Sequence, residues 1–281
     1  MRNLLITITH FNDEARVNKF LAHTFGLALP QDCRLFVAVA DNSLSWQGLG
    51  FTHPNLEVFR PQENLGYLRG CAFAFENWVA KNREMPEWTL ISNTDVTLAD
   101  DFFQNLMTIE LSDEVGVLAP DVRLPDDYPQ NPYRLRRPSR LRMYSYVVIY
   151  RSVFLTALYD LAGMIKRTIK AVVRGFLAES ASRQIPSVKQ IYAPHGSVVI
   201  LNRRFFEKGG NLQHGGKMFF EEFHIAEEAR RIGLKVAYIP TLKVKHFPHS
   251  TVKFFGRGAR RLWAYESALA VWKMYFASSS A

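Results

Sequence analysis

Short apolar runs alternate with helical patterns through the first 120 residues of the chain. The strand-like runs are Leu4–Thr9, Leu35–Ala40, Leu56–Phe59 and Trp88–Ser92, and the helical patterns lie near Ala15–Phe25 and Tyr67–Lys81. Strands that alternate with helices in this way predict an α/β fold, with a mostly parallel central sheet flanked by helices. Ligands of such sheets bind in the loops beyond the carboxyl ends of the strands. Those loops are therefore the first candidates for a functional site.

Each strand-like run of this half is followed by a loop of small polar side chains or glycine. The loops are Thr9-His10-Phe11-Asn12, Asp41-Asn42-Ser43, Asn64-Leu65-Gly66 and Asn93-Thr94-Asp95. Taken singly, each is an ordinary turn former. Because all four are expected at the same edge of the sheet, one nucleotide lying across the strand ends would contact all of them. The loops therefore predict a nucleotide site built from several short segments.

Strand patterns resume in the second half of the chain. They lie at Gln190–Tyr192, Val198–Leu201 and Val236–Ile239, the last of which is closed by Pro240. Helices are predicted over Arg203–Lys208 and from the segment Phe219-Phe220-Glu221-Glu222 to Arg231, before Gly233. These patterns divide the chain into a nucleotide-binding half, 1–122, an insert, 123–189, a second half, 190–276, and a short tail, 277–281.

The order of these motifs resembles glycosyltransferase family 2, the inverting nucleotide-sugar transferases of the Rossmann-like GT-A fold. The resemblance covers Leu4–Val122 and Gln190–Phe276, and the first loop departs from the family's Thr-Tyr-Asn by one extra residue and a Phe. It implies that the first three loops bind the donor nucleotide through Thr9, Phe11, Asn12, Asp41, Asn42, Asn64 and Gly66. Arg69 either meets a donor phosphate or is solvated on a helix face. The small-residue element His195-Gly196 is expected beneath the acceptor and the sugar.

The segment from Leu90 to Val96 resembles the family's Asn-x-Asp metal motif, with Asp95 as the metal ligand. Mn²⁺ and Mg²⁺ favour oxygen ligands and are often completed by substrate phosphates, so one protein carboxylate can suffice. The competing interpretation is that Asp95 caps a helix that starts near Ala99. By the same resemblance His246, followed by Ser250, is a second candidate ligand, although a lone histidine is as often structural.

The segment from Phe219 to Ile225 resembles the family's aromatic-x-Glu-Asp-x-Asp-Leu element. In an inverting transfer, the acceptor hydroxyl loses its proton to a base opposite the departing nucleoside diphosphate. Glu222, at the position of the Asp, is the predicted base, and Glu221 is the alternative. His224 replaces the second acid of the element. The alternative to a catalytic role is that two carboxylates at the start of a helix serve only to compensate the helix dipole.

A basic segment from Arg134 to Arg174 contains ten Lys and Arg side chains and one acid, Asp160. The rest of the chain has 25 basic and 25 acidic residues, so the formal charge of +9 lies in this segment. An apolar stripe beside its last four cations, Lys166, Arg167, Lys170 and Arg174, is typical of a helix that lies on an anionic membrane. The alternative is a helix packed on the core with a solvated basic face. No recognised nucleic-acid module accompanies the charge, so no nucleic-acid partner is expected.

The resemblance implies metal-dependent transfer of a sugar from a dTDP-, UDP- or GDP-linked donor. The implied acceptor is a glycan or glycolipid of the cell surface, such as lipopolysaccharide, O-antigen or capsule. Rhamnosyl- and galactosyl-type enzymes share these motifs. Two cysteines and no nearly uncharged run of about 20 apolar residues favour a cytoplasmic protein, peripheral at the inner face of the membrane. A nucleotidyltransferase is a rival, but the first loop lacks the expected phosphate-binding glycines and cations. A non-catalytic sugar- or nucleic-acid-binding protein would follow if Glu221 and Glu222 lay far from Asp95.

Overall fold

The structure is a computed structural model that describes residues 1–43, 45, 48–177, 188–248 and 256–277, with the backbone alone for 166–177. The strands are β1 (Arg2–His10), β2 (Cys33–Asp41), β3 (Leu56–Phe59), β4 (Trp88–Ser92), β5 (Val96–Leu98), β6 (Val115–Arg123), β7 (Lys189–Ile191), β8 (Val198–Asn202) and β9 (Lys235–His246). The helices are α1 (Glu14–Gly26), α2 (Tyr67–Asn82), α3 (Phe102–Met107), α4 (Arg140–Arg151), α5 (Val153–Leu177), α6 (Arg203–Glu207), α7 (Glu221–Arg231) and α8 (Arg257–Tyr275).

The strands form one sheet in the order β3-β2-β1-β4-β8-β6-β9-β5, with β7 paired to β9. The first four strands are parallel, as predicted, whereas β8 runs antiparallel to both β4 and β6. The sheet is therefore mixed, because β8 runs in the opposite direction between β4 and β6, and β5 and β7 run antiparallel to β9. Residues 1–122 and 190–276 share this sheet, and the α/β class with flanking helices is confirmed.

The first strand is buried on both faces, which explains its continuous apolar run. Ile6 on one face packs in a cluster with Leu21 of α1, and Leu5 on the other face packs in a cluster with Trp78 of α2. All four side chains are fully buried. Helices on opposite faces thus hold β1 at the centre of the parallel half, with its carboxyl end at the edge where the loops gather.

The last strand is longer than the sequence predicts. Pro240 was expected to end it, but β9 continues to His246. The register with β6 shifts between the pairs Pro120–Ile239 and Asp121–Lys243, an irregularity that leaves the proline outside the hydrogen-bonded ladder. Beyond this point β9 pairs with β5, which was not predicted, and Val96 lies opposite His246. The extension therefore carries His246 to the loop that contains Asp95.

The insert begins with a helix that packs on the body of the protein. The Ser139 side chain caps α4 by accepting a hydrogen bond from the Arg142 backbone N–H, at 3.2 Å. One face of α4 joins a cluster with α7 and α8 through Met143, Tyr146 and Val147. In front of α4, Arg137 donates to both carboxylate oxygens of Glu227, at 2.6 and 3.0 Å. Arg137 is therefore a structural anchor rather than a membrane-facing cation.

The second helix of the insert is much more exposed. Over its described side chains, Val153–Ile165, the helix α5 leaves Leu158 and Leu161 about half exposed. The described part of the apolar stripe is therefore exposed, and the choice between the membrane-surface and the packed-helix interpretation stays a prediction. The side chains of Lys166, Arg167, Lys170 and Arg174 lie outside the described residues, as does Ser250. No single described helix is long and apolar enough to cross a membrane; α4 with Val153–Ile165 meets that criterion only as a pair bent by 114°.

Candidate active site

A cavity of about 430 Å³ opens at the carboxyl ends of β1, β2 and β4. The predicted site residues that line it are Thr9, Phe11, Asn42, Asn64, Gly66, Asp95, His195, Gly196, Glu221, Glu222 and His246. The candidate nucleotide, metal and catalytic residues, which are spread from Thr9 to His246 in the sequence, thus meet in one place. The condition for a non-catalytic protein is not met, because both glutamates line the same cavity as Asp95.

Three predicted donor-binding residues do not line this cavity. The Asp41 carboxylate is buried, lies 2.9 Å from the His10 ring and accepts from the Ser43 backbone N–H at 3.0 Å. Asn12 has a positive φ of 49°, and its backbone N–H donates to the Ser43 hydroxyl. Arg69 lies partly buried on α2, outside the cavity wall. The geometry gives Asp41 and Asn12 a part in shaping their loops, and a direct contact of these three with the donor stays a prediction.

The wall formed by the third loop is held by a close backbone approach. Gly66 has a φ of 79°, and a Cβ there would lie 1.9 Å from the Lys217 carbonyl oxygen, so only glycine fits. The Asn42 side chain donates to the Gly66 carbonyl at 2.9 Å and accepts from the Leu65 backbone N–H at 3.2 Å. The second and third loops are therefore locked to each other and to the segment before α7.

The candidate metal ligands are brought together by the pairing of β5 with β9. Asp95 Oδ1 lies 3.3 Å from His246 Nε2, and the Phe247 backbone N–H donates to the Asp95 carbonyl at 2.8 Å. On the other side of the ring, His246 Nδ1 lies 2.6 Å from the Gln130 side-chain oxygen. A proton on Nδ1 would satisfy that acceptor and leave the Nε2 lone pair facing the carboxylate, so that His246 and Asp95 would be able to hold a divalent cation. The proposed capping role of Asp95 is wrong, since α3 begins only at Phe102.

The pair alone does not complete a metal site. Within the described ranges, no three His, Cys, Asp or Glu side chains converge closely enough to hold a metal ion. Mn²⁺ accepts both imidazole nitrogen and carboxylate oxygen, and metals of nucleotide enzymes commonly take further ligands from substrate phosphates and water. The donor set of Asp95 and His246 therefore fits Mn²⁺ better than Mg²⁺, which disfavours nitrogen.

The predicted acceptor element lies beside this pair. Burial, together with the nearby His246, lowers the pKa of His195 to about 4, so its imidazole is neutral at physiological pH. Its Nδ1 accepts from the Ser197 backbone N–H at 3.2 Å and lies 2.9 Å from the Ser197 hydroxyl. The Tyr67 hydroxyl donates to the Gly196 carbonyl at 3.0 Å. These contacts fix the floor of the cavity between the metal candidates and the glutamates.

The turn before α7 aims the two glutamates at the cavity. Phe219 and Phe220 both have left-handed backbones, with φ of 74° and 65°, a conformation that costs about 1–3 kcal/mol per residue. Surrounding elements hold this strain in place: His214 Nε2 lies 2.8 Å from the Phe219 carbonyl oxygen, and the Ser267 hydroxyl of α8 donates to the Met218 carbonyl. Backbone strain that neighbouring elements impose is typical of a functional turn.

The two glutamates have different partners. Glu221 is buried, and its Oε1 accepts from the Phe219 backbone N–H at 2.7 Å, which closes the strained turn. Burial and the charge of Glu222 raise the pKa of Glu221. Burial also raises the pKa of Glu222, against a hydrogen bond from Tyr133 and the charge of Arg134. The Glu222 Oε2 lies 4.0 Å from the position of a Cβ built on Gly196, so this carboxylate faces the His195-Gly196 segment.

Several residues of the cavity have no signal in the sequence. Tyr133 lies in the insert, Lys217 lies in the loop before α7, and Trp263 lies on α8. Their parts of the sequence carry no motif of the resemblance. Gln130 was missed for the same reason, since its role depends on a histidine 116 positions away.

Comparison with known proteins places this geometry in context. No protein-family model and no curated protein matches the chain by sequence. By structure it is similar to GalNAc-T7 in a crystal with UDP, GalNAc and Mn²⁺, with a TM-score of 0.57 and 11% identity over 89% of this chain and 44% of that one. It is also similar to TarS 1–349 of S. aureus, with a TM-score of 0.52 and 12% identity over 96% of this chain and 71% of that one.

The TarS fragment in complex with UDP-GlcNAc gives a TM-score of 0.51 at 10% identity, over 89% of this chain and 59% of that one. The chain thus spans less than half of GalNAc-T7, and 71% and 59% of the two TarS structures. At such low identity the likeness concerns the fold. The protein has the GT-A fold of these nucleotide-sugar glycosyltransferases.

Proposed function

We propose that the protein is an inverting glycosyltransferase that uses a nucleoside-diphosphate sugar. One observation carries the proposal: Glu222 lines the same cavity as the Asp95–His246 pair and the loops that follow β1 and β2. The cavity of about 430 Å³ falls within the range of about 300–1,000 Å³ that is common for small-molecule sites. Structural neighbours that hold UDP or UDP-GlcNAc favour a UDP-linked donor over the dTDP- and GDP-linked alternatives.

The proposed chemistry is a single displacement at the anomeric carbon. The acceptor O–H bond breaks, its proton passes to Glu222, the new bond from oxygen to the anomeric carbon forms, and the bond to the diphosphate breaks. Tyr133 orients the carboxylate of Glu222 by a hydrogen bond, and Arg134 limits the rise of its pKa. A raised pKa suits a base that must accept a proton near neutral pH.

The residues at the other end of the cavity would hold a divalent cation. When bound, the cation supplies positive charge to the departing diphosphate. Asp95 and His246 would be its protein ligands, and Gln130 orients the ring of His246. Neutral His195 adds no positive charge beside them.

A thermal-shift series tests the proposed donor. UDP with Mn²⁺ is expected to raise the melting temperature, because a ligand that binds only the native state at 100 times its Kd adds about 2.7 kcal/mol of stability. UDP without Mn²⁺ should give a smaller rise. TDP and GDP with Mn²⁺ are the matched comparisons for the base. If none of the three nucleotides stabilises the protein, the proposed function fails.

We further propose that the insert docks the enzyme on the anionic inner face of the cytoplasmic membrane, where the glycan or glycolipid acceptor would be presented. Leu141 of α4 is 78% exposed and Phe154 of α5 is 74% exposed, and most of the large exposed apolar side chains of the described ranges lie in 135–165. Monomeric soluble proteins rarely expose such a concentration. Exposed Arg136, Arg142 and Arg151 lie in the same segment, and each cation near an anionic leaflet contributes about 1 kcal/mol.

The double change Phe154→Glu with Leu158→Glu is expected to abolish most binding to vesicles of phosphatidylcholine with phosphatidylglycerol, because it places carboxylates on the outward face of α5. Binding by the wild type should also weaken at 1 M salt, where the Debye length is about 3 Å. Leu262→Glu is the matched control, since Leu262 is 45% exposed on α8, outside the insert. Co-sedimentation measures the effect. If the wild type and the double variant bind equally, or if neither binds, the proposed membrane docking fails.

A further inference from the structure

A second cavity of about 1000 Å³ lies between the insert and the start of α8. Its wall includes Glu221 and Glu222, which also belong to the wall of the donor cavity, together with Tyr133 and Phe219. The two cavities therefore meet at the candidate base. From this geometry, and resting on the proposed function, we infer that the second cavity binds the acceptor, and that the acceptor carries a phosphate group next to its reacting sugar.

Part of the wall of the second cavity is aromatic. Tyr159 of α5 meets Tyr146 and Tyr150 of α4 edge to face, with ring centroids 6.3 and 6.1 Å apart, and both α4 rings meet Phe220 in the same way. Burial raises the pKa of Tyr150 and of Tyr159, so their hydroxyls stay protonated. Rigid rings with neutral hydroxyls offer apolar faces and hydrogen bonds together. This combination suits a sugar ring, which has an apolar C–H face and a polar rim.

Cationic side chains also belong to the wall of the second cavity. Arg134, Arg257, Arg260 and Arg261 belong to its wall, against the two glutamates and Asp160. Arg261 is used by the fold, since its Nη1 donates to the carbonyls of Tyr150 and Arg151 at 2.7 and 3.0 Å. The start of α8, at Arg257, adds the positive end of a helix dipole to this wall.

Two of these arginines have a buried donor that the described residues do not satisfy. The Nε atoms of Arg134 and of Arg260 are both buried, and neither has a hydrogen-bond acceptor within the described part of the chain. Buried donors are normally paired in native proteins. The planar guanidinium fork matches the oxygens of a phosphate better than any neutral group. A phosphate bound in this cavity would supply oxygen acceptors to such arginines, while its sugar would contact the tyrosines of the same wall and Glu222.

Titration of a charged and a neutral sugar, with the donor cavity already occupied, tests this inference. With UDP and Mn²⁺ filling the donor cavity, glucose 1-phosphate and neutral methyl glucoside are titrated by ligand-observed NMR. We expect glucose 1-phosphate to bind at least tenfold tighter, and Arg260→Gln or Arg257→Gln to erase the difference. Arg257 is exposed at the helix start, so its substitution should not disturb the fold if that of the partly buried Arg260 does. Arg136→Gln is the control, since Arg136 is an exposed insert arginine outside the cavity wall.

Tyr159→Leu should weaken binding of both sugars by a similar factor, because it removes part of the aromatic wall and none of the charge. Farnesyl diphosphoglucose separates two sources of the phosphate: tighter binding than glucose 1-phosphate indicates a lipid-linked sugar, and equal binding indicates a soluble phosphorylated glycan. Equal binding of the charged and neutral sugars, or no effect of both arginine variants, overturns the inference. UDP affinity is measured in the same samples, so a failure of UDP to bind identifies a failure of the proposed function instead.

Discussion

Glu222→Gln is expected to bind UDP and Mn²⁺ as the wild type does and to transfer sugar about 10²–10⁴ times more slowly, the usual contribution of a general base. Glutamine has the shape of glutamate and keeps an oxygen that can accept the hydrogen bond from Tyr133, but it does not take up the acceptor proton. Single-turnover transfer at saturating donor measures the effect. Calorimetry with UDP verifies that the donor site is intact.

Glu221→Gln is the matched comparison, because it removes the neighbouring charge and keeps an oxygen for the Phe219 backbone N–H. It is expected to retain most of the transfer. If this variant is inactive and Glu222→Gln is active, the base is Glu221. If both variants are active, neither glutamate of α7 is the base.

The pH dependence of transfer supplies a second readout. A base must be deprotonated to act, so transfer should be lost as the pH falls through the folded-state pKa of Glu222. Because burial raises that pKa, the acidic limb of the rate profile is expected above the ordinary glutamate value of about 4.3. The limb should disappear in Glu222→Gln. A wild-type limb at or below the ordinary value would contradict a buried base.

Asp95→Ala is expected to remove the part of the UDP affinity that depends on Mn²⁺, by tenfold or more, which corresponds to at least about 1.4 kcal/mol. The carboxylate lies in a loop between β4 and β5, so its removal should leave the fold intact. Calorimetry of UDP with and without Mn²⁺ separates the two parts of the affinity. Asp100→Ala is the control, since Asp100 is an exposed acid just beyond β5 and outside the cavity wall.

Gln130→Ala extends the same series. It leaves both candidate ligands in place and removes the partner of His246 Nδ1, and partners of this kind contribute about 10–100-fold to metal affinity. An intermediate loss of Mn²⁺ dependence would therefore indicate that Gln130 positions the ring. If Asp95→Ala keeps the full Mn²⁺ dependence, the metal lies elsewhere or is not used.

Much of the parallel half could be predicted from local patterns. The bounds of β3 and β4 are as predicted, and those of β1, β2, α1 and α2 differ by a few residues at most. Each of these elements has its own hydrophobic period or apolar run. Two strands were not predicted, for different reasons. The strand β5 has only three residues and is held by pairing with β9. The strand β6 is not set off by a clear alternation of strand and helix patterns on both sides of it.

Neighbouring positions in one motif proved to have different surroundings. Asn42 lines the cavity at the strand ends, whereas Asp41, the residue before it, is turned to His10 and Ser43. Glu221 closes its own turn, whereas Glu222 faces Gly196. A motif includes both residues of such a pair and does not tell them apart. The direction of each side chain depends on contacts made by other parts of the chain.

The sequence by itself determined that the chain alternates strands and helices, that polar loops gather at the strand ends and that two carboxylates begin a helix, because each of these features arises from residues close together in the chain. The tertiary structure alone decided that His246 reaches Asp95, that Tyr133 meets Glu222 and that the basic segment forms a second cavity at the same carboxylates. These relations join residues about 90 to 150 positions apart. They depend on strand order, on a register shift at Pro240 and on the packing of α4 against α8, which no local pattern encodes.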